Sequence, residues 1–280
     1  MCWCGCLKGM PKVMRLFLPC AIGLLILWLY TCFVFNPRGL ARVPLLHALL
    51  YQLCVLLLGA SLGRTMTASV FARESPLLQR LDGAVGVVEL KYNGEKRFCR
   101  KCDLPKPDRT HHCSSCNACI AKMDHHCVFL NKCIGLENYK FFVLFLFWSA
   151  VSCLVEASLL YAHAVPSAMD ELSSDFLLGQ LALTSAHCQI VLVCFASVCV
   201  GLALTCFLAM HLYLAASNMT TLEYCEKRDE VGYVNYYYVG VLGNLRQVFG
   251  PLPLALFPLH PPHMASLRLG FPSTKLRKTD

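Results

Sequence analysis

Residues 98–135 read FCRKCDLPKPDRTHHCSSCNACIAKMDHHCVFLNKCIG and contain seven of the chain's 19 cysteines and four of its 10 histidines. These residues are Cys99, Cys102, Cys113, Cys116, Cys119, Cys127 and Cys133, with His111, His112, His125 and His126. Thiolate and imidazole are preferred zinc ligands, and a C-x2-C pair lets two thiolates from one tight turn reach the same ion. Three such pairs occur here: Cys99/Cys102, Cys113/Cys116 and Cys116/Cys119. The stretch therefore predicts metal binding.

The candidate ligands outnumber what two closed zinc sites use. Seven cysteines and at least two histidines give nine candidates, whereas two tetrahedral sites take four ligands each. One cysteine is left over, and Cys127 is the best candidate because it directly follows Asp124-His125-His126. A thiolate is a nucleophile, and its pKa falls beside an imidazolium or a metal site.

Asp124, His125 and Cys127 supply three roles that thiol catalysis needs. An aspartate that accepts one ring N–H of a histidine leaves the other ring nitrogen able to take the thiol proton. His126 would then be free to bind metal. The spacing leaves a second interpretation open, in which the whole segment is a structural zinc module for protein contacts and Asp124 is a solvated acid.

Residues 98–142 resemble the Asp-His-His-Cys (DHHC) cysteine-rich domain of the membrane protein S-acyltransferases, or palmitoyltransferases. The matching pattern is Cys99-x2-Cys102-x9-His112-Cys113-x2-Cys116-x2-Cys119-x4-Asp124-His125-His126-Cys127-x5-Cys133. It is flanked by Lys106-Pro107-Asp108-Arg109 and by Asn138-Tyr139-Lys140-Phe141-Phe142. Agreement at so many fixed positions is not expected by chance.

The resemblance implies two interleaved structural zinc sites and an acylated cysteine. The first site would use Cys99, Cys102, His112 and Cys119, and the second Cys113, Cys116, His126 and Cys133. Cys127 would be the nucleophile, His125 its base and Asp124 the group that orients His125. The chain departs from the family at Val128-Phe129, where Pro-Trp is usual, and at Asn131-Lys132, where two asparagines are usual. These departures put the rate or the acyl preference in doubt rather than the zinc sites.

The resemblance also implies a reaction and its partners. Cys127 would take a long-chain acyl group from the co-substrate acyl-CoA and pass it to membrane-proximal cysteines of substrate proteins at the bilayer surface, a ping-pong scheme. Arg109 and Lys132 are weak candidates for contacts with the CoA phosphates, because basic side chains attract anions. The zinc ions would be structural, since protein side chains fill all eight ligand positions.

Composition places this segment in a membrane protein. The 280 residues are 56% hydrophobic and 15% charged, with a mean hydropathy of +0.53, which is too apolar for an ordinary soluble domain. A spanning helix needs roughly 20 apolar residues. Four such runs cover about residues 13–35, 43–62, 141–163 and 189–214. The sequence predicts an α-helical integral membrane protein with a small zinc-bound domain between the second and third spans.

Four regions follow from this pattern. Residues 1–63 contain an N-terminal cytosolic tip and the first two spans, and residues 64–140 form the cytosolic loop with the cysteine-rich core at 98–135. Residues 141–214 contain the third and fourth spans, and residues 215–280 form the cytosolic tail. The tail resembles the same family twice. Thr220-Thr221-Leu222-Glu223 matches its Thr-Thr-x-Glu element, which also signals a helix start. Asn235 to Gly250 resembles its C-terminal aromatic-and-asparagine motif.

Basic residues predict the orientation. The N-terminus, the long loop and the tail are basic, whereas the linker at 164–188 has no Lys or Arg. By the positive-inside rule both termini and the cysteine-rich loop face the cytosol, although Arg38 and Arg42 argue weakly the other way. We expect a multi-pass protein of the Golgi, the endoplasmic reticulum or the plasma membrane. The cysteines of the loop are then on the reducing side, where thiolates bind metal rather than form disulfides. The Cys2/Cys4/Cys6 cluster is interpreted as a metal-binding site, a self-acylation site or a cluster without a role. Its C-x-C spacing beside a membrane suits lipidation better than a closed zinc site, and no role is the preferred interpretation.

Two other classes of function fit part of the sequence pattern. A non-catalytic membrane adaptor would use the zinc domain only to recruit partners, which the intact Asp124-His125-x-Cys127 set argues against. A metal transporter or sensor should place ionisable ligands inside the spans, where Glu156 and His211 are almost the only ones. Glu156 is better explained by a structural role, and Ser149 and Ser152 on its face by a lipid cavity or by helix packing. Nucleic acid is not expected as a partner, because the zinc module is anchored at a membrane.

Overall fold

The computed structural model describes residues 12–36, 40, 43–74, 89–91, 93–163, 186–227, 230–268 and 270–272. Four long helices dominate this part of the chain. They are α1 (Lys12–Phe35), α2 (Leu45–Thr67), α3 (Tyr139–His163) and α4 (Ala186–Ala216). Each contains a stretch that is long and apolar enough to cross a membrane. The predicted four-span architecture is confirmed, with the cysteine-rich domain between the second and third helices. The Cys2/Cys4/Cys6 cluster and the linker at 164–185 lie outside the described residues.

Helix α2 extends further than the sequence predicted. We expected the second span to end near residue 62, where polar residues begin, but the helix continues to Thr67. The hydroxyls of Thr65 and Thr67 donate to the carbonyls of Ser61 and Gly63 one turn back, at 2.8 and 2.9 Å. Side chains that bond within their own helix let it continue through a polar sequence.

The chain forms two compact units. The helical unit comprises Cys20–Ala60 and Phe145–Ala209. Its core contains Leu29, Phe33, Val43, Tyr51, Leu159, Leu160, Ile190 and Val193. A Cβ on Gly201 would lie 2.9 Å from Leu154 Cδ2, so a larger residue at this position would require the Leu154 side chain to shift. Small residues allow such close helix packing.

Glu156 lies inside α3 within the helical unit. Tyr51 Oη donates to its Oε2 at 3.3 Å, and both side chains are buried. A carboxyl group in an apolar environment is costly unless it finds a polar partner. The contact with Tyr51 favours a structural role for Glu156, as the sequence analysis expected.

The cysteine-rich unit comprises the described residues that fall within Met1–Pro19, Ser61–Leu144 and Met210–Asp280. Its centre is three antiparallel hairpins, β1 (Phe98–Cys99) with β2 (Leu104–Pro105), β3 (His111–Cys113) with β4 (Ala118–Ile120), and β5 (His125–Cys127) with β6 (Lys132–Ile134). Asp103 and Asn117 follow the second cysteine of a C-x2-C pair and have φ of 52° and 50°. Asp and Asn tolerate this left-handed conformation better than most residues. It allows each cysteine pair to turn tightly.

The tail contains four short helices, α5 (Thr221–Lys227), α6 (Val241–Phe249), α7 (Leu252–Ala255) and α8 (Met264–Leu267). Tail residues Tyr237, Met264, Leu267 and Phe271 share a core with Ala72, Cys99, Leu104, Cys119, Ala121 and Leu136 of the loop. Arg268 adds a bidentate ion pair with Glu137, at 2.8 and 2.7 Å. Loop and tail therefore fold together, although a long helical stretch separates them in sequence.

Candidate active site

The first Cys/His cluster joins Cys99 and Cys102 of one C-x2-C turn to His112 and Cys119. Their ligand atoms all lie within 4.8 Å of one another. Cys102 Sγ is 3.2 Å and Cys99 Sγ 3.6 Å from His112 Nδ1. His112 and Cys119 come together because they are cross-strand partners in the β3–β4 hairpin.

The second cluster, Cys113, Cys116, His126 and Cys133, is built in the same way one hairpin later. His126 and Cys133 are cross-strand partners in the β5–β6 hairpin. Cys116 Sγ lies 3.5 Å from His126 Nδ1 and 3.4 Å from Cys133 Sγ. Successive side chains of a strand point to opposite faces. His112 and Cys113 are adjacent on β3 and so serve different clusters, which is the physical reason for the interleaving.

The donor set of both clusters fits a metal ion. Each brings three cysteine sulfurs and one imidazole nitrogen within 4.8 Å, from two buried and two half-buried residues. Three thiolates so close together would repel one another without a cation between them. Four sulfur and nitrogen donors are the ligand set of structural zinc sites. The described residues can therefore hold two metal ions in closed sites.

Replacing His112 with alanine is expected to remove one of two bound zinc ions and to lower yield and thermal stability, because metal binding is coupled to folding. The metal-to-protein ratio of purified protein measures this directly. His111→Ala is the matched control, because His111 is next to His112 in the chain but pairs with Ile120 across the hairpin and belongs to neither cluster. Equal zinc content in both variants would contradict the ligand assignment.

Cys127 belongs to neither cluster. It is buried at the end of β5, with 6% of its surface exposed. His125 and Cys127 are two residues apart on a strand and point to the same face, whereas His126 points to the other. The surplus cysteine that the sequence analysis singled out thus lies beside the histidine expected to act as its base.

Asp124 holds the opposite side of the His125 ring. His125 Nδ1–H donates to Asp124 Oδ2 at 2.6 Å. Thr221, at the start of α5, donates its backbone N–H to Oδ1 at 2.9 Å and its hydroxyl to Oδ2 at 2.8 Å. Burial by itself raises the pKa of Asp124, but the hydrogen bond and charge of His125 outweigh it and lower the pKa to about 2. The carboxylate is therefore ionised at neutral pH.

The same contacts act on His125. Burial lowers its pKa, but the hydrogen bonds to Asp124 and Cys127 outweigh burial and raise the pKa to about 9. A raised pKa means that the site favours the protonated ring. The site therefore stabilises a positive charge on the His125 ring, two residues before Cys127 on the same strand.

Arg109 and Glu223 form a buried ion pair that connects the hairpins to α5. The fully buried Arg109 donates through Nε and Nη2 to Glu223 Oε1 and Oε2, both at 2.7 Å. Nη1 and Nη2 also donate to the side chain and carbonyl of Asn218 at 2.9 Å, and the guanidinium lies 4.4 Å from the centre of the Tyr237 ring. This placement corrects one expectation: Arg109 cannot meet CoA phosphates, because burial and its partners occupy all of its charged group.

The Thr-Thr-x-Glu element forms the helix start that the sequence predicted. Glu223 Oε2 accepts the Thr220 backbone N–H at 2.9 Å, and Thr220 Oγ1 accepts the Glu223 N–H at 3.2 Å. This reciprocal pair is a capping box, which fixes the first turn of a helix. The cap holds Thr221 in place to bind Asp124. The remaining phosphate candidate, Lys132, is half-buried and donates to the carbonyl of Met66.

The asparagines of the tail motif fix its chain around the end of α4. Asn235 and Asn244 donate to the carbonyls of Ser217 and Ala216, at 2.8 and 2.7 Å. Asn218 donates to the carbonyl of Tyr237 at 2.7 Å. Buried amides that saturate carbonyls beyond a helix end stabilise the chain where it leaves the helix.

Sequence reasoning missed His211, which α4 places against the catalytic candidates. A nitrogen of its ring lies within 4.8 Å of the ligand atoms of Asp124 and His125. Asp124, His125 and His211 are close enough together to bind a metal ion. However, both Asp124 oxygens already accept hydrogen bonds from His125 and Thr221, which argues against that role. The sequence signal was an ionisable residue near the end of an apolar span, and by itself it did not point to this site.

Comparison with known proteins matches this region to one family. The family model described as DHHC palmitoyltransferase matches residues 92–228. The palmitoyltransferase ZDHHC20 of Homo sapiens is 34% identical over 181 residues, which cover 64% of this chain and 47% of the relative. ZDHHC15A of Danio rerio is 36% identical over 190 residues, 66% of this chain and 55% of the relative.

A fungal palmitoyltransferase is also similar to this chain in sequence. The palmitoyltransferase pfa3 of Aspergillus fumigatus is 38% identical over 167 residues, which cover 58% of this chain and 29% of that protein. The chain thus spans about half or less of the length of the relatives that it matches.

Proposed function

Because the chain carries the domain of the DHHC palmitoyltransferase family, we propose that it is a protein S-acyltransferase that moves a long-chain acyl group from acyl-CoA to protein cysteines. One observation carries the proposal. His125 donates to the buried Asp124 carboxylate, and Cys127 lies two residues beyond His125 on the same face of β5, outside both Cys/His clusters. A structural zinc module has no need of a buried surplus thiol beside an aspartate-bound histidine, so the arrangement favours catalysis over the adaptor function.

The first half-reaction forms an acyl-enzyme. His125 takes the proton of the Cys127 thiol, and the thiolate attacks the carbonyl carbon of the thioester in acyl-CoA. A new carbon–sulfur bond to Cys127 forms, the bond to the CoA sulfur breaks, and the CoA thiolate leaves and is protonated. Asp124 holds Nδ1–H throughout, so that Nε2 is the nitrogen that exchanges the proton.

The second half-reaction returns the free enzyme. A cysteine thiolate of a substrate protein attacks the same carbonyl carbon, and the Cys127 thiolate leaves. Because one thioester is exchanged for another, the two steps need no oxidant and no added energy source. The scheme is ping-pong, with CoA released before the protein substrate reacts.

Two zinc ions in the clusters would hold this site without taking part in the chemistry. Cys99, Cys102, His112 and Cys119 would bind one ion, and Cys113, Cys116, His126 and Cys133 the other. When all four ligands come from protein, no position remains for water or substrate. The hairpin β5–β6 carries both His126 and Cys127, so the second ion fixes the strand that presents the nucleophile.

We place the site at the cytosolic face of the membrane. The basic loop and tail argue for this side by the positive-inside rule, and four apolar helices supply the membrane anchor. Substrates are then proteins whose cysteines lie close to the bilayer. The membrane would be that of the Golgi, the endoplasmic reticulum or the cell surface. The domain boundaries at residues 63, 140 and 214 stay predictions.

Mixing the purified protein with palmitoyl-CoA and no protein acceptor is expected to release a rapid burst of about one CoA per active chain, followed by slow hydrolysis. A burst is the kinetic sign of a covalent intermediate whose breakdown is slower than its formation. Stopped-flow detection of the free CoA thiol measures it. A steady release without a burst, at a rate equal to that of Cys127→Ala, would contradict the proposal.

A further inference from the structure

The His125 ring is enclosed by aromatic side chains from two of the long helices. The ring of His211, on α4, lies 5.7 Å from it between centroids and is inclined by 36°. Phe142, on α3, meets both imidazoles edge-on, with centroid distances of 5.2 Å to His125 and 5.1 Å to His211. These separations are within the range at which rings attract one another.

His211 is itself fixed. Its side chain is fully buried, and the hydroxyl of Tyr139 donates to its backbone carbonyl at 3.2 Å and lies 3.4 Å from its Nδ1. A ring that is buried and held at both its backbone and its edge cannot rotate freely. His211 therefore presents a rigid wall to the His125 imidazole.

An imidazole needs such a wall because its own torsion is soft. The χ2 torsion of histidine has broad, roughly two-fold preferences, and rotation by half a turn would exchange Nδ1 for a carbon at Asp124. The hydrogen bond to Asp124 fixes one edge of the ring, but it does not fix the plane. Proton transfer requires Nε2 to point at the Cys127 sulfur, so the plane matters as much as the edge.

We propose that His211 is a positioning residue for acyl transfer, whose ring holds the His125 imidazole in the plane that directs Nδ1 to Asp124 and Nε2 to Cys127. The inference rests on the proposed function of Cys127 as nucleophile. In this account His211 acts through His125 and touches neither acyl-CoA nor the protein substrate. It also gives span four a part in the catalytic site, beside the hairpin that carries the nucleophile.

The test compares His211→Ala, which removes the ring, with His211→Phe, which keeps a ring of similar size. Formation of the acyl-enzyme from palmitoyl-CoA is followed in single turnovers of the full-length protein, over a range of palmitoyl-CoA concentrations. His211→Ala is expected to lower the maximal rate about ten- to hundredfold, the cost of a base misplaced by about 1 Å. The half-saturating concentration should not change, since His211 does not bind the substrate. His211→Phe should stay within about threefold of the wild type, because the wall is preserved.

A second measurement separates positioning from folding. The alkylation rate of Cys127 by iodoacetamide, read on its peptide by mass spectrometry, should fall in His211→Ala while the zinc content stays at two. If His211→Ala does not fold, His211→Asn replaces it as the variant without a ring. Its maximal acylation rate is expected to fall by the same factor.

Three sets of results would overturn the inference. The first is a ringless variant that acylates at the wild-type rate, or that changes only the half-saturating concentration. The second is a folded His211→Phe as slow as the ringless variants, and the third is a change in metal content. A zinc content of three in the wild type that falls to two in His211→Ala would instead assign His211 to a metal site. A wild type that forms no acyl-enzyme at all would refute the proposed function, whereas an active wild type with unaffected variants refutes only the role of His211.

Discussion

Asp124→Asn is expected to slow acyl-enzyme formation by about 10²- to 10⁴-fold, the usual range for losing general base catalysis. The asparagine amide would donate where the carboxylate accepts, so Nδ1 of His125 would have to become an acceptor. The ring would then carry its proton on Nε2 and could not take the proton of the Cys127 thiol. The single-turnover rate with palmitoyl-CoA measures this effect.

Two companion variants show whether the tautomer is the cause. Thr221→Val removes only the hydroxyl that donates to Asp124 Oδ2 and keeps the backbone N–H, so we expect a loss of only a few-fold. Asp124→Glu keeps an ionised acceptor and should recover part of the rate. A rate for Asp124→Asn within about threefold of the wild type, with zinc content unchanged, would refute the role given to Asp124.

Arg109→Met is expected to destabilise the cysteine-rich unit by about 3–5 kcal/mol, because it leaves the Glu223 carboxylate buried without its partner. The thermal unfolding midpoint in detergent and the zinc content should both fall. Acyl transfer should fall with them, since Glu223 caps the helix that presents Thr221 to Asp124. The double variant Arg109→Met/Glu223→Leu should regain part of the lost stability, because it buries no unpaired charge.

The pH dependence of this ion pair follows from its pKa shift. Burial by itself raises the pKa of Glu223, but the charge and hydrogen bonds of Arg109 lower it below the ordinary value. A carboxylate with a lowered pKa contributes stability at neutral pH, and this contribution is lost as the pH falls through the lowered value. The difference in unfolding midpoint between wild type and double variant should therefore narrow at acidic pH.

An equal unfolding midpoint for Arg109→Met and wild type at pH 7 would show that the Arg109–Glu223 pair does not stabilise the cysteine-rich unit.

Much of the candidate site could be predicted from the sequence because its residues are neighbours in the chain. The surplus of one cysteine over the ligands of two zinc sites indicated Cys127, and the preceding Asp124 and His125 indicated the groups that would act with it. Spacing could not choose which ligands share an ion. That assignment depends on strand alternation, which sends His112 and Cys113 to different clusters. It entered the sequence analysis only through the family resemblance.

Contacts between distant segments were beyond a local pattern. Arg109 looked like a surface charge among many basic loop residues, and its partner Glu223 is 114 positions away. The sequence marks His211 only as an ionisable residue near the end of a span, because its distance from His125 depends on how α4 packs. The end of α2 was placed too early, since hydropathy does not register threonine hydroxyls that bond within a helix.

Intact-protein mass spectrometry of wild type and Cys127→Ala, after incubation with palmitoyl-CoA, tests the central claim most directly. The account predicts one added palmitoyl group on the wild type, removed by neutral hydroxylamine, and no such group on the variant, with two zinc ions in both. A wild type that gains no hydroxylamine-sensitive group while holding both zinc ions would contradict it. That result would favour a zinc-bound membrane adaptor, and Val128-Phe129 would be the first residues to exchange for the family's usual Pro-Trp.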